Sequence, residues 1–257
     1  MAESKLSINS LDTEYERYVG KWRKYTLMKQ KKKVRQHLPK TKLFSKKSLW
    51  KMLDKYGEVI VKPSYGKYGR KVAKISCMND GKIKLHMEQK KKVFCNREEA
   101  YTYLSNSYLN GKCHIIQQYI PLATINECPF DLRVMVQRKK ESDDWMVTGV
   151  AAKVAASGFA VTNVAKQVLN LETAIEQSNI VVDDKCKLIE EMNKASVKNV
   201  QSIQDYYPEY RGIGLDVGVD PKGDIWIIEA NLEPTIDMFM ELNDRSALRK
   251  IRAYNRG

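Results

Sequence analysis

Several features that define other protein classes are missing from this 257-residue chain. Its five cysteines form no Cys-x-x-Cys pair and are odd in number, which argues against a disulfide framework and a zinc site and favours reduced thiols. Its three histidines, His37, His86 and His114, show no metal-ligand spacing. No apolar run approaches the ~20 residues that span a bilayer, and the start, MAESKLSINSLD, has no hydrophobic segment of a secretory signal. We therefore expect a cytoplasmic protein without a membrane span.

The common glycine-rich phosphate-binding signatures are also absent. Neither the GxxxxGK[ST] spacing of a Walker A loop nor a GxGxxG dinucleotide fingerprint occurs. The aromatic pattern of RNA-recognition modules and the ligand spacing of zinc fingers are missing as well, so nucleic acid is not the favoured partner. A nucleotide site in this chain must therefore be built from other residues.

Acidic residues are scarce in one region. Between Gly20 and Lys74 there are 19 Lys and Arg residues against Asp54 and Glu58, a balance of +17. Because the whole chain carries +14, the remainder sums to −3. The basic charge therefore belongs to one region and favours an anionic partner such as a nucleotide, a polyphosphate or an acidic peptide. The alternative is a solvated lysine surface that keeps the protein soluble, and the lysine runs at 31–33 and 90–92 fit that alternative better.

The spacing of apolar residues predicts two groups of strands and helices, in a chain that is 43% hydrophobic and can form a substantial core. The predicted strands are Val59–Lys62, Val72–Ser76, Ile83–Met87, Val93–Phe94, Ile115–Tyr119, Leu132–Gln137 and Trp145–Ala152. The predicted helices are Lys21–Arg35, Ser45–Tyr56, Arg97–Ser107, Leu169–Gln177, Asp183–Gln204 and Arg245–Tyr254. This order indicates an α+β fold with two lobes: an arm at 1–20, a small lobe at 21–111 and a large lobe at 112–257.

The segment GLDVGVDPKGDIWIIEANLEP, from Gly214 to Pro234, predicts a hairpin with a Pro-Lys-Gly-Asp turn. Glu229 and Asn231 share one face of the second strand, and Asp216 lies across the hairpin. Three oxygen-bearing side chains on one rigid face suit Mg²⁺, which takes few protein oxygens and keeps positions for water and phosphate. The alternative is a hairpin whose end is merely polar.

A second candidate site is VIVKPSYGKYGRKVAKI, from Val59 to Ile75. Lys62 ends a strand, and two glycines with further cations follow in a loop. Glycine allows backbone N–H groups to approach phosphate oxygens, and Lys62, Lys67 and Arg70 can neutralise phosphate charge. Together with the acidic hairpin, this loop predicts a nucleotide held between two lobes.

The two constellations resemble the ATP-grasp superfamily, and most closely its YheC/YheD-like, endospore coat-associated branch. The resemblance extends from about Gly20 to Leu242. Five motifs carry it in the family's order: GKW at Gly20–Trp22, VIVKP at Val59–Pro63, IIQQYI at Ile115–Ile120, PFDLRV at Pro129–Val134, and IIEANLEP at the end of the hairpin. The family's fold, two α+β lobes that clamp ATP, is therefore expected here.

The resemblance implies a role for each matching position. ATP would contact the set Lys21, Lys62, Ser64, Tyr65, Gly66, Lys67 and Gly69, with the loop Ser64–Arg70 closing over the phosphates. An interlobe hinge of Gln117, Gln118, Tyr119 and Ile120 would read the adenine edge. Asp216, Glu229 and Asn231 would hold two Mg²⁺ ions, and the catalytic set would be Arg133, Lys153 and Asn163. Arg133 also has a plainer interpretation, as a mid-strand partner of Asp131.

The sequence departs from the family's pattern at four places. Lys153 stands where arginine is commoner, Lys71 stands where a second glycine is common, and the residues after Asn163 read VAKQ without a glycine pair. The grasp motifs begin at Lys21, which leaves no room for most of the usual N-terminal domain. The resemblance therefore implies that a partner protein or a second copy in a homodimer completes the site, or that the substrate is itself a peptide or protein.

The resemblance implies an ATP-dependent carboxylate–amine ligase that works through an acyl phosphate with ATP and Mg²⁺. Two alternatives stay open: an ATP-grasp kinase that phosphorylates a small molecule, and a non-catalytic ATP-binding scaffold associated with the spore coat. A phosphorylated product would distinguish the kinase, and absence of turnover would distinguish the scaffold.

Overall fold

The computed structural model describes residues 20–66, 71–109, 111–159, 161–162 and 165–256. The chain divides into two compact units, of which unit 1 comprises residues up to Thr26 together with Lys40–Tyr119, and unit 2 comprises Leu27–Pro39 together with Ile120–Gly257. Unit 1 extends past the predicted boundary near Asn110-Gly111 because the strand His114–Gln118 pairs within its sheet. The predicted arm at 1–20 lies outside the described residues, apart from Gly20.

Unit 1 is built on one antiparallel six-stranded sheet. Its strands are β1 (Thr41–Leu43), β2 (Glu58–Pro63), β3 (Ala73–Cys77), β4 (Ile83–Met87), β5 (Lys90–Phe94) and β6 (His114–Gln118), in the spatial order β1-β6-β2-β3-β4-β5. The central strands β2 and β6 have the most continuous burial. The paired Val61 and Ile116 lie in the middle of the sheet, fully buried.

Three α-helices begin in the described part of unit 1, and the second of them ends at Tyr56, where the sequence predicts. The first is α1 (Lys21–Gln30), whose residues from Leu27 onwards belong to unit 2. The other two, α3 (Lys46–Tyr56) and α4 (Arg97–Leu104), pack on the sheet through Leu49, Leu53 and Leu104. Ser45 forms a capping box with Ser48, and Gly57 ends the helix at φ +71. A π-helical turn, Ser105–Leu109, follows α4 and buries Tyr108.

Unit 2 also contains one antiparallel sheet. Its strands are β7 (Thr124–Ile125), β8 (Cys128–Gln137), β9 (Met146–Ala155), β10 (Ala165–Leu169), β11 (Gly212–Val219) and β12 (Ile225–Asn231). The order is β10-β9-β8-β11-β12, and β7 pairs with β8. Its helices are α2 (Lys32–Arg35), α5 (Leu171–Gln177), α6 (Lys185–Gln201), α7 (Asp237–Glu241) and α8 (Ser246–Arg256).

One face of this sheet changes character along its length. At one end Met135 and Ala151 pack against Phe239 and Ile251 of the two C-terminal helices. The approach is close at Gly149, where an added Cβ would lie 2.8 Å from Ile251 Cδ1. At the other end, the same alternation that places Met135 on this face also places Arg133 and Asp131 on it. The helices therefore cover only the apolar end of the face.

The elements predicted from the sequence need correction at several places, and β7 and α7 are among those not predicted. The predicted helix Lys21–Arg35 is two helices, because Lys31 is extended at ψ 117° and no apolar stripe continues through the lysine run. The short strand β1 was not predicted because its burial pattern has a single buried residue. Strand β10 was missed because it is short and mostly exposed, so its apolar alternation is weak.

The outer edge of β12 is covered by the residues that follow α2. The backbone N–H of Ile227 donates to the carbonyl of His37 at 2.7 Å. His37 Nδ1 donates to the carbonyl of Ile225 at 3.1 Å. This segment therefore supplies hydrogen-bond partners for backbone groups of the edge strand that carries Glu229 and Asn231. Within the described residues, no helix is long and apolar enough to cross a membrane.

Candidate functional site

A row of charged and polar side chains crosses four neighbouring strands of unit 2. The pairing places Asp131 opposite Lys153, Arg133 opposite Asp216, and Asp216 opposite Glu229. In an antiparallel pair, residues directly opposite share a face, so the row lies on one side of the sheet. The predicted hairpin and the face shared by Asp216, Glu229 and Asn231 are thus present in the structure.

The guanidinium of Arg133 binds the carboxylate of Asp216. Arg133 Nη2 lies 2.8 Å from Asp216 Oδ1, and both side chains are largely buried. The pairing predicted as the plainer interpretation, Arg133 with Asp131, is not the ion pair that forms. The missing side chain of Gly214 leaves room for this arginine, since a Cβ there would lie 3.2 Å from Arg133 Nη1 and 2.6 Å from Pro234 Cβ.

Lys153 pairs instead with Asp131. Lys153 Nζ lies 3.4 Å from Asp131 Oδ1, and the hydroxyl of Thr162 donates to Asp131 Oδ2. Burial raises the pKa of the Asp131 carboxyl, with Lys153 acting in the opposite direction and the nearby Asp216 charge adding to the increase. The two cations of the predicted catalytic set therefore each have their own carboxylate. Asn163, the third predicted member, lies outside the described residues.

The donor set of the hairpin fits a hard cation. Asp216 and Glu229 face each other across the strand pair, and Asn231 Nδ2 donates to Asp216 Oδ2 at 3.2 Å. Carboxylate and amide oxygens are the ligands that Mg²⁺ prefers. Across the described part of the chain, no three side chains of the His, Cys, Asp and Glu types are grouped for a metal. The candidate metal ligands are therefore two carboxylates and one amide. This is a small number of protein ligands, as expected for an ion that phosphate oxygens also bind.

Lys62 is a buried cation in a central strand of unit 1. It lies in β2 opposite Ile115, with 6% of its surface exposed. A lysine is rarely buried to this degree without a specific partner. Ser64 follows at the strand end and is also buried, whereas Tyr65 is exposed.

The first turn of α1 holds the start of the predicted phosphate loop. The backbone N–H of Lys21 donates to the carbonyl of Ser64 at 2.7 Å, and Lys21 Nζ donates to the carbonyl of Gly66 at 2.7 Å. Gly66 has φ +142, a backbone conformation that favours glycine. Among the predicted phosphate contacts, Lys67 and Gly69 lie outside the described residues, as does Arg70.

The far end of the loop is anchored by Tyr108. Lys71 has φ +58, a left-handed conformation at the position where the family resemblance leads one to expect glycine. The hydroxyl of Tyr108 donates to the carbonyls of Lys71 and Val61, the latter at 2.8 Å. Both ends of the segment after β2 are therefore fixed to unit 1 by hydrogen bonds.

The predicted hinge residues are partly engaged in the structure. Gln117 Nε2 donates to Thr41 Oγ1 at 3.1 Å, and the N–H of Gln118 donates to the carbonyl of Lys40 at 2.8 Å. The N–H of Tyr119 donates to the carbonyl of Glu58 at 3.4 Å, and Ile120 is buried at the start of the longer part of unit 2. The N–H groups of Gln118 and Tyr119 are thus already used by the fold.

Two residues of the charged row were not assigned a role from the sequence. Asp131 was considered only as a partner of Arg133, and Thr162 was not considered at all. The pattern Asp131-Leu132-Arg133, with an aspartate two residues before an arginine on one strand face, was the available signal for Asp131. No local pattern identifies Thr162, because its contact depends on the path of the chain after β9.

The family model of the YheC/D-like ATP-grasp proteins matches residues 13–255, almost the whole chain. This chain belongs to the YheC/D-like ATP-grasp family. The resemblance predicted from the five ordered motifs is confirmed. Among curated proteins, this ATP-grasp chain is 24% identical over 235 residues to the endospore coat-associated protein YheD of Bacillus subtilis (strain 168). The match covers 88% of the chain and 50% of YheD, so the chain spans half of that relative's length.

Solved ATP-grasp ligases share the fold. The D-Ala:D-Ser ligase VanG of Enterococcus faecalis superposes with a TM-score of 0.55 at 13% identity, covering 92% of this chain and 61% of VanG. The ATP-grasp ligase PsnB, solved with a minimal precursor, Mg and ADP, superposes with a TM-score of 0.52 at 11% identity, covering 93% and 58%. The predicted α+β ATP-grasp fold is therefore confirmed.

Proposed function

We propose that this chain is an ATP-dependent ligase that joins a carboxylate to an amine through an acyl phosphate. The charged row on the unit 2 sheet carries the proposal, because it pairs two cations with two carboxylates beside a further carboxylate and an amide. An ATP-grasp ligase needs both kinds of group: oxygens for a metal and cations for the charge that develops on the transferred phosphoryl group.

Asp216, Glu229 and Asn231 would hold the magnesium, with two ions expected. Bound there, magnesium would supply positive charge against the phosphate oxygens of ATP. Arg133 already contacts Asp216 Oδ1, so it would keep that carboxylate oriented while the other oxygens serve the metal. An ionised carboxylate has about four acceptor positions, which allows both contacts.

The chain's own cations would act on the transferred phosphoryl group. The substrate carboxylate would attack the γ-phosphorus, forming an acyl phosphate while ADP leaves. The amine would then attack the acyl carbon, lose a proton and release inorganic phosphate. Arg133 and Lys153 would stabilise the negative charge in both steps, with Asn163 as a polar contact nearby. No nucleophilic side chain is required, since positioning and charge stabilisation account for the chemistry.

Unit 1 would contribute contacts to ATP. Lys21 and Lys62 would bind phosphate oxygens, and the segment containing Ser64, Tyr65, Gly66, Lys67 and Gly69 would cover the phosphates and exclude water. Anchoring of this segment at Ser64 and Lys71 supports that role, because a cover must be attached at both ends. In the hinge of Gln117 to Ile120, we expect carbonyl groups to accept the adenine amino group, since two of its N–H groups are already used.

The substrates are proposed by class only: a carboxylate and an amine acceptor, one of which is a peptide or protein. A homodimer or a partner protein would complete the acceptor site. A cytoplasmic location in a sporulating cell is consistent with the endospore coat-associated name of the relative YheD.

Isothermal titration of ATP with and without Mg²⁺ tests the nucleotide and metal assignments together. Wild type is expected to bind ATP in a magnesium-dependent way, and Glu229→Ala is expected to lose that dependence. Glu172→Ala, an exposed carboxylate on α5, is the matched control and should bind as wild type does. Equal magnesium-dependent affinity in Glu229→Ala would remove the metal assignment. If the wild type binds Mg-ATP, amino acids and acidic peptides are added next, and the compounds that cause release of ADP identify the substrate class.

A non-catalytic ATP-binding protein of the spore coat is the second candidate. The observation that favours it is Lys153, a single-point donor where the resemblance leads one to expect an arginine fork. Tight Mg-ATP binding without ADP release under any acceptor would support this candidate and exclude the ligase. A phosphorylated product would instead support kinase activity.

A further inference from the structure

Asp131 connects two residues of unit 2 that sequence reasoning did not relate. One carboxylate oxygen, Oδ1, lies 3.4 Å from Lys153 Nζ, and the other, Oδ2, accepts a hydrogen bond from Thr162. The Asp131 side chain is 13% exposed and Thr162 is buried. Arg133, the neighbouring cation on the same face, uses a different carboxylate. Asp131 is therefore dedicated to Lys153 and Thr162.

The choice of lysine at position 153 explains why Asp131 has an oxygen to share. A lysine ammonium is a compact donor that needs only one carboxylate oxygen, whereas an arginine guanidinium presents a fork that occupies both. With lysine present, the second oxygen of a buried carboxylate needs another donor, because an unsatisfied buried acceptor is unfavourable. Thr162 supplies that donor. The Asp131–Thr162 bond thus replaces the second half of an arginine fork.

We propose that Asp131 is a positioning residue, which fixes the ammonium of Lys153 over the reacting phosphoryl group, and that Thr162 holds Asp131 in the required orientation. Neither residue touches substrate in this scheme, and both act through Lys153. The inference rests on the proposed function, because Lys153 acts on a phosphoryl group only if the chain transfers one. Without the Thr162 bond the carboxylate could rotate, and the single-point contact of a lysine would follow it.

Substitution of the two donors to the Asp131 carboxylate, Thr162 and Lys153, tests these contacts in an experiment that does not involve ATP. We would measure the urea midpoint of unfolding for wild type, Thr162→Val, Lys153→Arg and the double variant. Each single change should lower the midpoint. Thr162→Val leaves Oδ2 without a donor, and Lys153→Arg brings a larger guanidinium into the space beside Oδ2 that the Thr162 hydroxyl occupies. The double variant should be more stable than Thr162→Val, because the fork then satisfies both oxygens.

A matched control separates this effect from general packing. Thr102→Val, on α4 of unit 1, removes an exposed hydroxyl far from Asp131 in sequence. Combined with Lys153→Arg it should give additive changes in the midpoint. If the changes for Thr162→Val and Lys153→Arg are additive as well, Asp131 does not divide its Oδ1 and Oδ2 between Lys153 and Thr162 as proposed.

The positioning role is tested with Mg-ATP alone for binding, and with Mg-ATP plus the amino acids or acidic peptides named above for ADP release. We expect Asp131→Asn to leave the Kd for Mg-ATP unchanged and to lower the rate of ADP release by roughly 100-fold, as misplacement of a catalytic group does. Thr162→Val should give a smaller loss that Lys153→Arg restores. Asp143→Asn, an exposed partner of Arg138, is the matched control and should change neither quantity.

The outcomes distinguish this inference from the proposed function. If wild type neither binds Mg-ATP nor releases ADP, the proposed function fails and the positioning role fails with it. If wild type turns over but Asp131→Asn raises the Kd at an unchanged rate, Asp131 belongs to nucleotide binding and the positioning role alone is wrong. If Asp131→Asn does not fold, the milder Thr162→Val and its restoration by Lys153→Arg decide.

Discussion

At the scale of single residues, the geometry of the charged row depends on the backbone beside it. Arg133 reaches Asp216 across a position where the neighbouring strand has no side chain, Gly214. The glycine is not required by its dihedral angles, since its φ lies outside the left-handed region. Its role is to give space to the guanidinium and to Pro234. The position of Arg133, which we propose to be catalytic, thus depends on a neighbouring residue that has no side chain.

Gly214→Ala is expected to destabilise the protein by about 1–3 kcal/mol, the usual effect of overpacking. The new methyl group would lie 2.6 Å from Pro234 Cβ and 3.2 Å from Arg133 Nη1, so one of the two must move. The measurement is the free energy of unfolding in urea. Gly212→Ala, in the same strand, is the matched control because its nearest neighbour, Gln137 at 3.4 Å, lies at an ordinary contact distance. Equal effects of the two substitutions would contradict the steric argument.

At the scale of elements, the π-helical turn after α4 links two strands to the predicted phosphate loop. Tyr108 in this turn is buried, which raises the pKa of its hydroxyl and keeps it protonated as a donor. Its hydroxyl proton is shared between the carbonyls of Val61, inside β2, and Lys71, two residues before the start of β3. The turn therefore defines one end of the loop that would cover phosphate.

Tyr108→Phe should lower the free energy of unfolding by about 1 kcal/mol, the net contribution of a typical buried hydrogen bond. It should also lower the protection of the backbone amides near Lys71 against hydrogen exchange, because this end of the loop loses a hydrogen bond that holds it. Hydrogen exchange of the backbone amides from 71 to 73 measures this local effect. The control is Tyr56→Phe, which removes a hydroxyl from a ring packed against the same core. Unchanged exchange near Lys71 in Tyr108→Phe would contradict the anchoring role.

The start of β6 gives unit 1 a dependence on pH. Burial lowers the pKa of His114, and the positive charges of Lys71 and Lys112 act in the same direction. Its Nδ1 donates to the carbonyl of Lys112 at 2.8 Å, which is consistent with a neutral ring, and the bond partly opposes the lowering. The ring also packs beside Tyr108, with 5.3 Å between centroids.

Stability is expected to fall as the pH is lowered below about 6.5, where a histidine in the unfolded chain takes up a proton that folded His114 does not. The contribution is at most about 1.4 kcal/mol per pH unit and ends once the folded state also binds the proton. The free energy of unfolding between pH 7.5 and 5 measures it. His114→Asn, whose amide can replace the Nδ1–H donor, should flatten the dependence. His86→Asn in β4 controls for loss of a histidine from the same sheet.

Much of the fold could be predicted from the sequence because local signals and burial agree. Ser45 and Gly57 bound α3 as expected, and the hairpin of β11 and β12 forms with Asp216 opposite Glu229. The elements that were missed include β1, β7, β10 and α7. They are short or exposed, so tertiary contacts rather than apolar spacing determine them.

The site could be predicted in part for the same reason. Residues that share a strand face are predictable from alternation, which is why the three hairpin residues were grouped correctly on one face. The partners of Arg133 and Lys153 were not predictable, because they depend on which strands are neighbours and in what register. Asp131 could have paired with either cation, and only the register of β8 with β9 assigns it to Lys153.

At the scale of the whole molecule, a ligand that binds only the folded state must stabilise it. Mg-ATP at 100 times its Kd is expected to raise the free energy of unfolding by about 2.7 kcal/mol. The urea midpoint with ATP alone, Mg²⁺ alone and both together measures this, and only the combination should give the full increase. Glu229→Ala should show no increase with the combination. An equal increase with ATP alone would contradict the assignment of the hairpin to magnesium.

The covered edge of β12 has a consequence for how copies of this chain behave at high concentration. An open strand edge is a template on which other chains can add strands and form fibres. His37 occupies that edge with two backbone-directed bonds at Ile225 and Ile227, next to an apolar Ile-Trp-Ile-Ile run suited to such growth. In the other sheet, the outer strand β5 is instead protected by charge at 90–92, three exposed lysines that repel one another across a stacked interface. The edges at β12 and β5 are thus protected from strand addition by different means, one by a backbone segment and the other by charge.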